Sequence, residues 1–100
     1  MIRSVVSMRA KPGRTEELMR VLERAGVHTV ASDQAGFLGV EVATAVDDPD
    51  EIVILESWAS LPLYERWRDS PVSSGLLGQV ADLVTVSPVR HVYHVVDAVR

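Results

Sequence analysis

The sequence predicts an α+β fold in which strands and helical segments follow the order β-α-β-β-α-β within a single domain, residues 1–100. Three observations carry this expectation. Short runs rich in β-branched residues stand near both ends of the chain, an amphipathic stretch follows the first, and two further apolar runs flank a polar, proline-containing segment at 47–50. A chain of 100 residues is long enough to bury about 65% of its unfolded surface around one core.

Ile2 to Arg9 carries β-branched Ile2, Val5 and Val6 and runs toward Pro12-Gly13, the pattern of a strand entering a turn. From Arg14 to about Ala31 the spacing becomes helical: Leu18, Leu22 and Ala25 recur on one side, with Glu16, Arg20 and Glu23 opposite. Glu16 and Glu17 lie at the positive end of this helix, and Glu16 to Arg20 is an i,i+4 pair in the favourable order. Gly36 breaks the pattern. Phe37 to Val46 and Glu51 to Trp58 are strand candidates joined through Asp47-Asp48-Pro49-Asp50. Ser60 is placed to cap a short helix through Trp67, with Pro62 tolerated in the first turn. Ser70-Pro71 restarts the chain into a second helical piece reaching about Leu83, and Val89 to Val96 forms the last strand after Pro88. This order, with an antiparallel sheet, is the ferredoxin-like plan.

The strands also predict assembly. Ile52-Val53-Ile54-Leu55 is continuously apolar, as are Val5-Val6 and Val95-Val96, so both faces of the sheet call for cover. Helices cover one face. The other most economically meets the same face of a second copy, giving a two-fold homodimer.

Composition narrows the function. At 47% hydrophobic and 24% charged residues, with no apolar run of about 18 residues and no basic leader before a cleavable segment, the chain reads as a globular protein for which a cytoplasmic location and no membrane partner are expected. The absence of cysteine removes disulfides, thiolate catalysis and Cys-ligated metals. A net charge of −4, with Lys11 the single lysine, argues against nucleic acid as partner.

Polar and aromatic residues that could face a pocket on the helix side are Ser7, His28, Glu41, Glu56, Trp58, Tyr64, Trp67, Arg90, His91, Tyr93 and His94. Strand alternation divides them: Ile54, Glu56 and Trp58 share one face, whereas His91 and Tyr93 oppose Arg90 and His94. His91 and His94 therefore cannot share a metal, and no metal site is expected. His28 stands on the flank of the apolar helical stripe, either facing a cavity as a base or interacting with the negative end of its helix. Trp67 is either a core anchor or a wall for a flat aromatic ligand, and Trp58 reads as bulk at the strand-to-helix corner. Glu41 and Glu56 sit in apolar strands, where a carboxylate needs an edge position, a partner or a raised pKa. No phosphate loop, H-E-x-x-H or G-x-S-x-G motif is present.

Lys11-Pro12-Gly13, Gly36-Phe37-Leu38-Gly39, Glu56-Ser57-Trp58 and Leu63-Tyr64-Glu65-Arg66-Trp67, in this order, resemble the antibiotic biosynthesis monooxygenase family of dimeric α+β barrels, over nearly the whole chain. The resemblance implies closure of two sheets into one barrel. It also implies one of two chemistries: cofactor-independent oxidation of polycyclic aromatic phenols, or haem degradation; other members are not tied to an activity. The haem-degrading pattern has Asn on the first strand and a ligating His shortly after the helical Trp. Here Trp67 matches, but Ser7 stands near the Asn position and Gly75-Leu76 where the His would fall. Under the oxygenase reading an anthrone-like phenol is deprotonated and its carbanion passes an electron to dioxygen, without metal, flavin or other cofactor. His28 is then the candidate base, Arg90 the stabiliser of oxyanion charge, and Ser7, Tyr64 and Trp67 the substrate contacts. The competing expectation is a non-catalytic dimeric barrel that binds a small ligand.

Overall fold

The computed structural model describes residues 1–24 and 33–98. Its elements are β1 (Ile2–Arg9), α1 (Thr15–Arg24), β2 (Phe37–Ala45), β3 (Asp48–Trp58), α2 (Leu61–Arg68), α3 (Pro71–Val80), a short 3₁₀ turn (Ala81–Leu83) and β4 (Val89–His94). The strands form one antiparallel sheet in the order β2-β3-β1-β4, so β1 and β3 are central and β2 and β4 are edges. The expected β-α-β-β-α-β order is the observed one, with the second helical segment split into α2 and α3. None of the described helices is long and apolar enough to cross a membrane.

Two element boundaries differ from those the sequence predicts. The polar segment at 47–50 is not all loop: the turn falls at Val46-Asp47, Ala45 pairs with Asp48, and Pro49 and Asp50 belong to β3. Side-chain bonds make this possible, since Asp48 accepts from the Arg9 guanidinium and from the Asp50 amide (3.3 Å), while Thr15 on α1 donates to Asp50. A register shift between Thr44 and Ala45 absorbs the extra residues. Similarly β4 ends at His94 rather than Val96, although Val95 still donates to the Met1 carbonyl at 3.0 Å. At the start of α1 the ion pair joins Arg14 and Glu17 at 2.6 Å.

Both short helices are capped by a serine, Ser60 as the sequence predicts and Ser70 in addition. Ser60 accepts from the Leu63 amide at 3.5 Å, and the Ser70 hydroxyl accepts from Ser73 (3.2 Å) while donating to the Trp67 carbonyl (2.7 Å). The second cap joins the end of α2 to the start of α3 and fixes the angle between them. Gly36 sets the approach to this corner from the other side. Its φ of +82° suits glycine, and a Cβ there would lie 2.4 Å from Leu63 Cδ1, so the chain entering β2 can rest against α2 only without a side chain.

The two faces of the sheet differ. Ile2, Ser4, Val6 and Met8 of β1 and Ile52, Ile54, Glu56 and Trp58 of β3 are buried beneath the helices. Leu18 and Leu22 of α1 and Val80 of α3 complete the larger core cluster; Ile2, Trp58, Tyr64 and Trp67 form a smaller aromatic one. Val5, Val53 and Leu55 lie on the opposite face, only half-buried, beside exposed Val89 and Tyr93 of β4. None of the described helices covers that face.

Candidate functional site

A narrow cleft lies between the helix face of the sheet and the helices. Its floor alternates by strand register. Ile54, Val6 and Arg90 line up across β3, β1 and β4, and the next row on the same face is Glu56, Ser4 and Val92. Leu22 of α1, Trp67 of α2 and Leu76, Leu77, Val80 and Ser73 of α3 form the walls. The lining is largely apolar, with Glu56 and Arg90 its two ionisable side chains among the described residues. The space between these residues is about 40 Å³, room for a few water molecules.

Glu56 occupies the centre of this floor and is only 6% exposed. Desolvation raises its pKa; the positive charge of Arg90 and the indole N–H groups of Trp67 and Trp58 oppose the shift without cancelling it. Among the described residues no Arg or Lys forms an ion pair with it within 4.0 Å. Ser4, its neighbour across β1, is fully buried with a hydroxyl that has no hydrogen-bond partner, and the Trp58 indole N–H also lacks a bond of normal geometry. A buried carboxyl is thus surrounded by donors whose hydrogen-bonding capacity the protein leaves unused, an uncommon condition in protein interiors.

Trp67 is positioned by Trp58. Its ring stacks on Trp58 (centroids 6.1 Å, planes 26° apart), and Trp58 is held edge-on by Phe37 (5.5 Å) and Tyr64 (6.3 Å). Trp67 is therefore both core anchor and cleft wall. Arg90 comes from the edge strand β4, paired with Val6 across β1.

The structure brings together only some of the residues that the sequence singles out. Trp67 and Arg90 share the cleft. Tyr64, three residues before Trp67, is fully buried in the aromatic cluster, outside the cleft lining, with Arg68 stacked 5.9 Å from its ring centre. Ser7 alternates with Val6, so it faces away from the helices and borders a separate shallow pocket with Arg9, Glu51 and Val89. His28 lies outside the described residues. Glu41 is exposed on the edge strand β2, and His91 and Tyr93 pack on each other on the open face. Glu56, which the sequence leaves at an edge or rim as one alternative, is central because β3 is flanked on both sides. Ser4 and Ser73 carried no signal in the sequence. Gly75 and Leu76 both fall within α3, so no imidazole occupies the position after Trp67 that a haem-degrading arrangement requires. Among the described residues no group of three or more His, Asp or Glu is placed to hold a metal.

Residues 1–74 match the family model described as antibiotic biosynthesis monooxygenase. The chain belongs to this family. Solved structures extend the likeness over the rest of the chain. A protein from Deinococcus radiodurans superposes with a TM-score of 0.85 at 19% identity, covering 100% of this chain and 97% of its own. Rv0793 from Mycobacterium tuberculosis gives 0.83 at 19% identity, with 99% and 98% covered. A variant of SnoaB from Streptomyces nogalater, a cofactor-independent oxygenase, gives 0.82 at 15% identity, with 97% and 94% covered. At these identities the superpositions establish the family fold. No curated protein sequence matches.

Proposed function

We propose that this family member is a cofactor-independent monooxygenase that oxidises a planar, anthrone-like phenol with dioxygen, working as a homodimer in the cytoplasm. The observation that carries the reading is the cleft itself: an apolar slot walled by the Trp67 ring, with one cation, Arg90, on its floor. A flat aromatic suits such walls, and a half-buried guanidinium beside them stabilises the oxyanion that forms when the substrate loses a proton. The free volume of about 40 Å³ is smaller than a fused ring system, so entry requires α3 to move away from the sheet.

SnoaB, described as a cofactor-independent oxygenase, has the same fold, which supports the class of reaction. In that chemistry the ring carbanion reduces dioxygen, one oxygen atom is retained as a new carbonyl and the other leaves as water. Ser7 and Tyr64 are not placed to touch a ligand in this cleft, which leaves Trp67 and Arg90 as the substrate contacts. His28 remains a candidate base from the sequence, tested together with its rival below. Haem degradation is disfavoured because Gly75 and Leu76 offer no ligating atom.

The test is dioxygen consumption with 1,8-dihydroxyanthrone as substrate. The wild type is expected to turn over equally with and without a chelator. Arg90→Gln should lower kcat by about 10²- to 10³-fold, the usual loss on removing one oxyanion donor. Equal rates in Arg90→Gln and wild type would remove Arg90 from the chemistry, and absence of consumption with this and related phenols would favour a ligand-binding barrel.

A further inference from the structure

We infer that Glu56 is the proton acceptor of the cleft, taking the acidic proton of a substrate whose oxyanion then faces Arg90. The inference rests on the oxygenase reading for the fate of the anion, but the proton transfer itself stands on the geometry of this site.

Three features point the same way. Glu56 is the acidic side chain of the cleft floor, fixed on a central strand rather than a loop, so its carboxylate is presented to anything that stacks against Trp67. Among the described residues, the groups that face it are Arg90 from β4, Ser4 from β1, and the indoles of Trp58 from β3 and Trp67 from α2. Each of these can donate a hydrogen bond to the carboxylate, and none of the four is a carboxylate or imidazole that would compete with it for the substrate proton. Lastly, burial disfavours the charged carboxylate, which makes it a stronger base than a solvated one.

Charge conservation favours this assignment over a neutral base. With Glu56 as acceptor, the cleft holds one negative and one positive charge before the transfer, on Glu56 and Arg90, and the same count afterwards, on the substrate oxyanion and Arg90. A neutral histidine accepting the proton would instead create a new pair of charges beside the buried carboxylate. In a low-dielectric site that separation is disfavoured.

The steps balance. A C–H or tautomeric O–H proton of the anthrone passes to Glu56, and the carbanion transfers its electrons to dioxygen and joins it as a peroxide anion. Glu56 returns the proton to give the hydroperoxide. It then removes the remaining hydrogen from the same carbon as the O–O bond breaks, leaving a carbonyl and hydroxide, and the proton on Glu56 converts hydroxide to water. One anthrone and one dioxygen give one quinone and one water, with Glu56 regenerated. The substrate class follows: an aromatic whose ring carbon or hydroxyl is acidic enough for a carboxylate to deprotonate, and no larger than the slot can admit by moving α3.

Two measurements on the full-length protein test this. In the absence of oxygen, bound 1,8-dihydroxyanthrone should show the absorbance of its anion in the wild type at a pH where it is neutral in solution, and Glu56→Gln should return it to the neutral spectrum. In air, Glu56→Gln should lower kcat by about 10²- to 10⁴-fold, and Glu56→Asp should restore part of the rate. Glutamine is isosteric, and circular dichroism verifies that the variant is folded. Anion formation without oxygen consumption would uphold Glu56 as acceptor while refuting the oxygenase reading. An unchanged anion fraction or full turnover in Glu56→Gln, a comparable loss confined to His28→Ala, or failure of the wild type to bind the probe would each overturn the assignment.

Discussion

Leu55→Lys is expected to abolish the pairing of two copies proposed above and leave the chain monomeric. Leu55 sits in the middle of the central strand β3 on the face without helices, next to Val5 of β1, with Val53 two residues along. If two copies pair through this face, a lysine there places an unpaired cation in a desolvated interface. A buried charge without a partner costs about 3–5 kcal/mol, and two-fold symmetry introduces two of them per dimer. The dissociation constant should therefore rise by more than about 10³-fold. Light scattering at micromolar concentration reads the change directly. Ile54→Lys is the contrasting variant. Its side chain lies beneath the helices at 6% exposure, so lysine there should unfold the chain rather than separate the copies. A wild type that is already a well-behaved monomer would refute the barrel arrangement.

The second large effect is on stability. Trp58→Ala should cost about 3–5 kcal/mol, a large share of the roughly 5–15 kcal/mol available to a domain. The side chain is fully buried and touches the rings of Phe37, Tyr64 and Trp67, so its loss leaves a cavity bordered by three aromatics drawn from β2 and α2. Urea denaturation followed by far-ultraviolet circular dichroism gives the difference. Trp58→Phe, which keeps part of the edge-on contact with Phe37, should lose less. A change below about 1 kcal/mol in Trp58→Ala would mean that the corner can collapse around the gap.

Local signals made most of the fold legible. Ser60 announced its helix because a cap is a contact between residues three apart, and Leu18 and Leu22 announced α1 through spacing alone. The site was harder to read because it depends on pairing between distant strands. Val5 and Val6 are both apolar, so alternation could not say which parity of β1 faces the helices, and Ser7 was assigned to the wrong side of that choice. Glu56 and Arg90 are 34 positions apart in the sequence and come to one cleft only because β1 lies between β3 and β4. The periodicity of α2 placed Tyr64 and Trp67 on one face correctly, but only the position of Trp58 decides that Tyr64 is sealed in while Trp67 reaches the cleft.

Burial of Glu56 has a consequence for the acid–base behaviour of the whole molecule. Its folded-state pKa lies above the unfolded one, so between those two values the native chain holds more proton at this site than the denatured chain. Stability from this group is therefore greatest in mild acid and declines as pH rises from the ordinary glutamate range through the folded pKa, beyond which the loss is complete. Thermal melts across that range should show Glu56→Gln gaining on the wild type as pH increases and converging with it in acid; parallel curves would contradict the raised pKa. The position best suited to accept a proton would then also be the one at which the native protein gives up resistance to heat for reactivity.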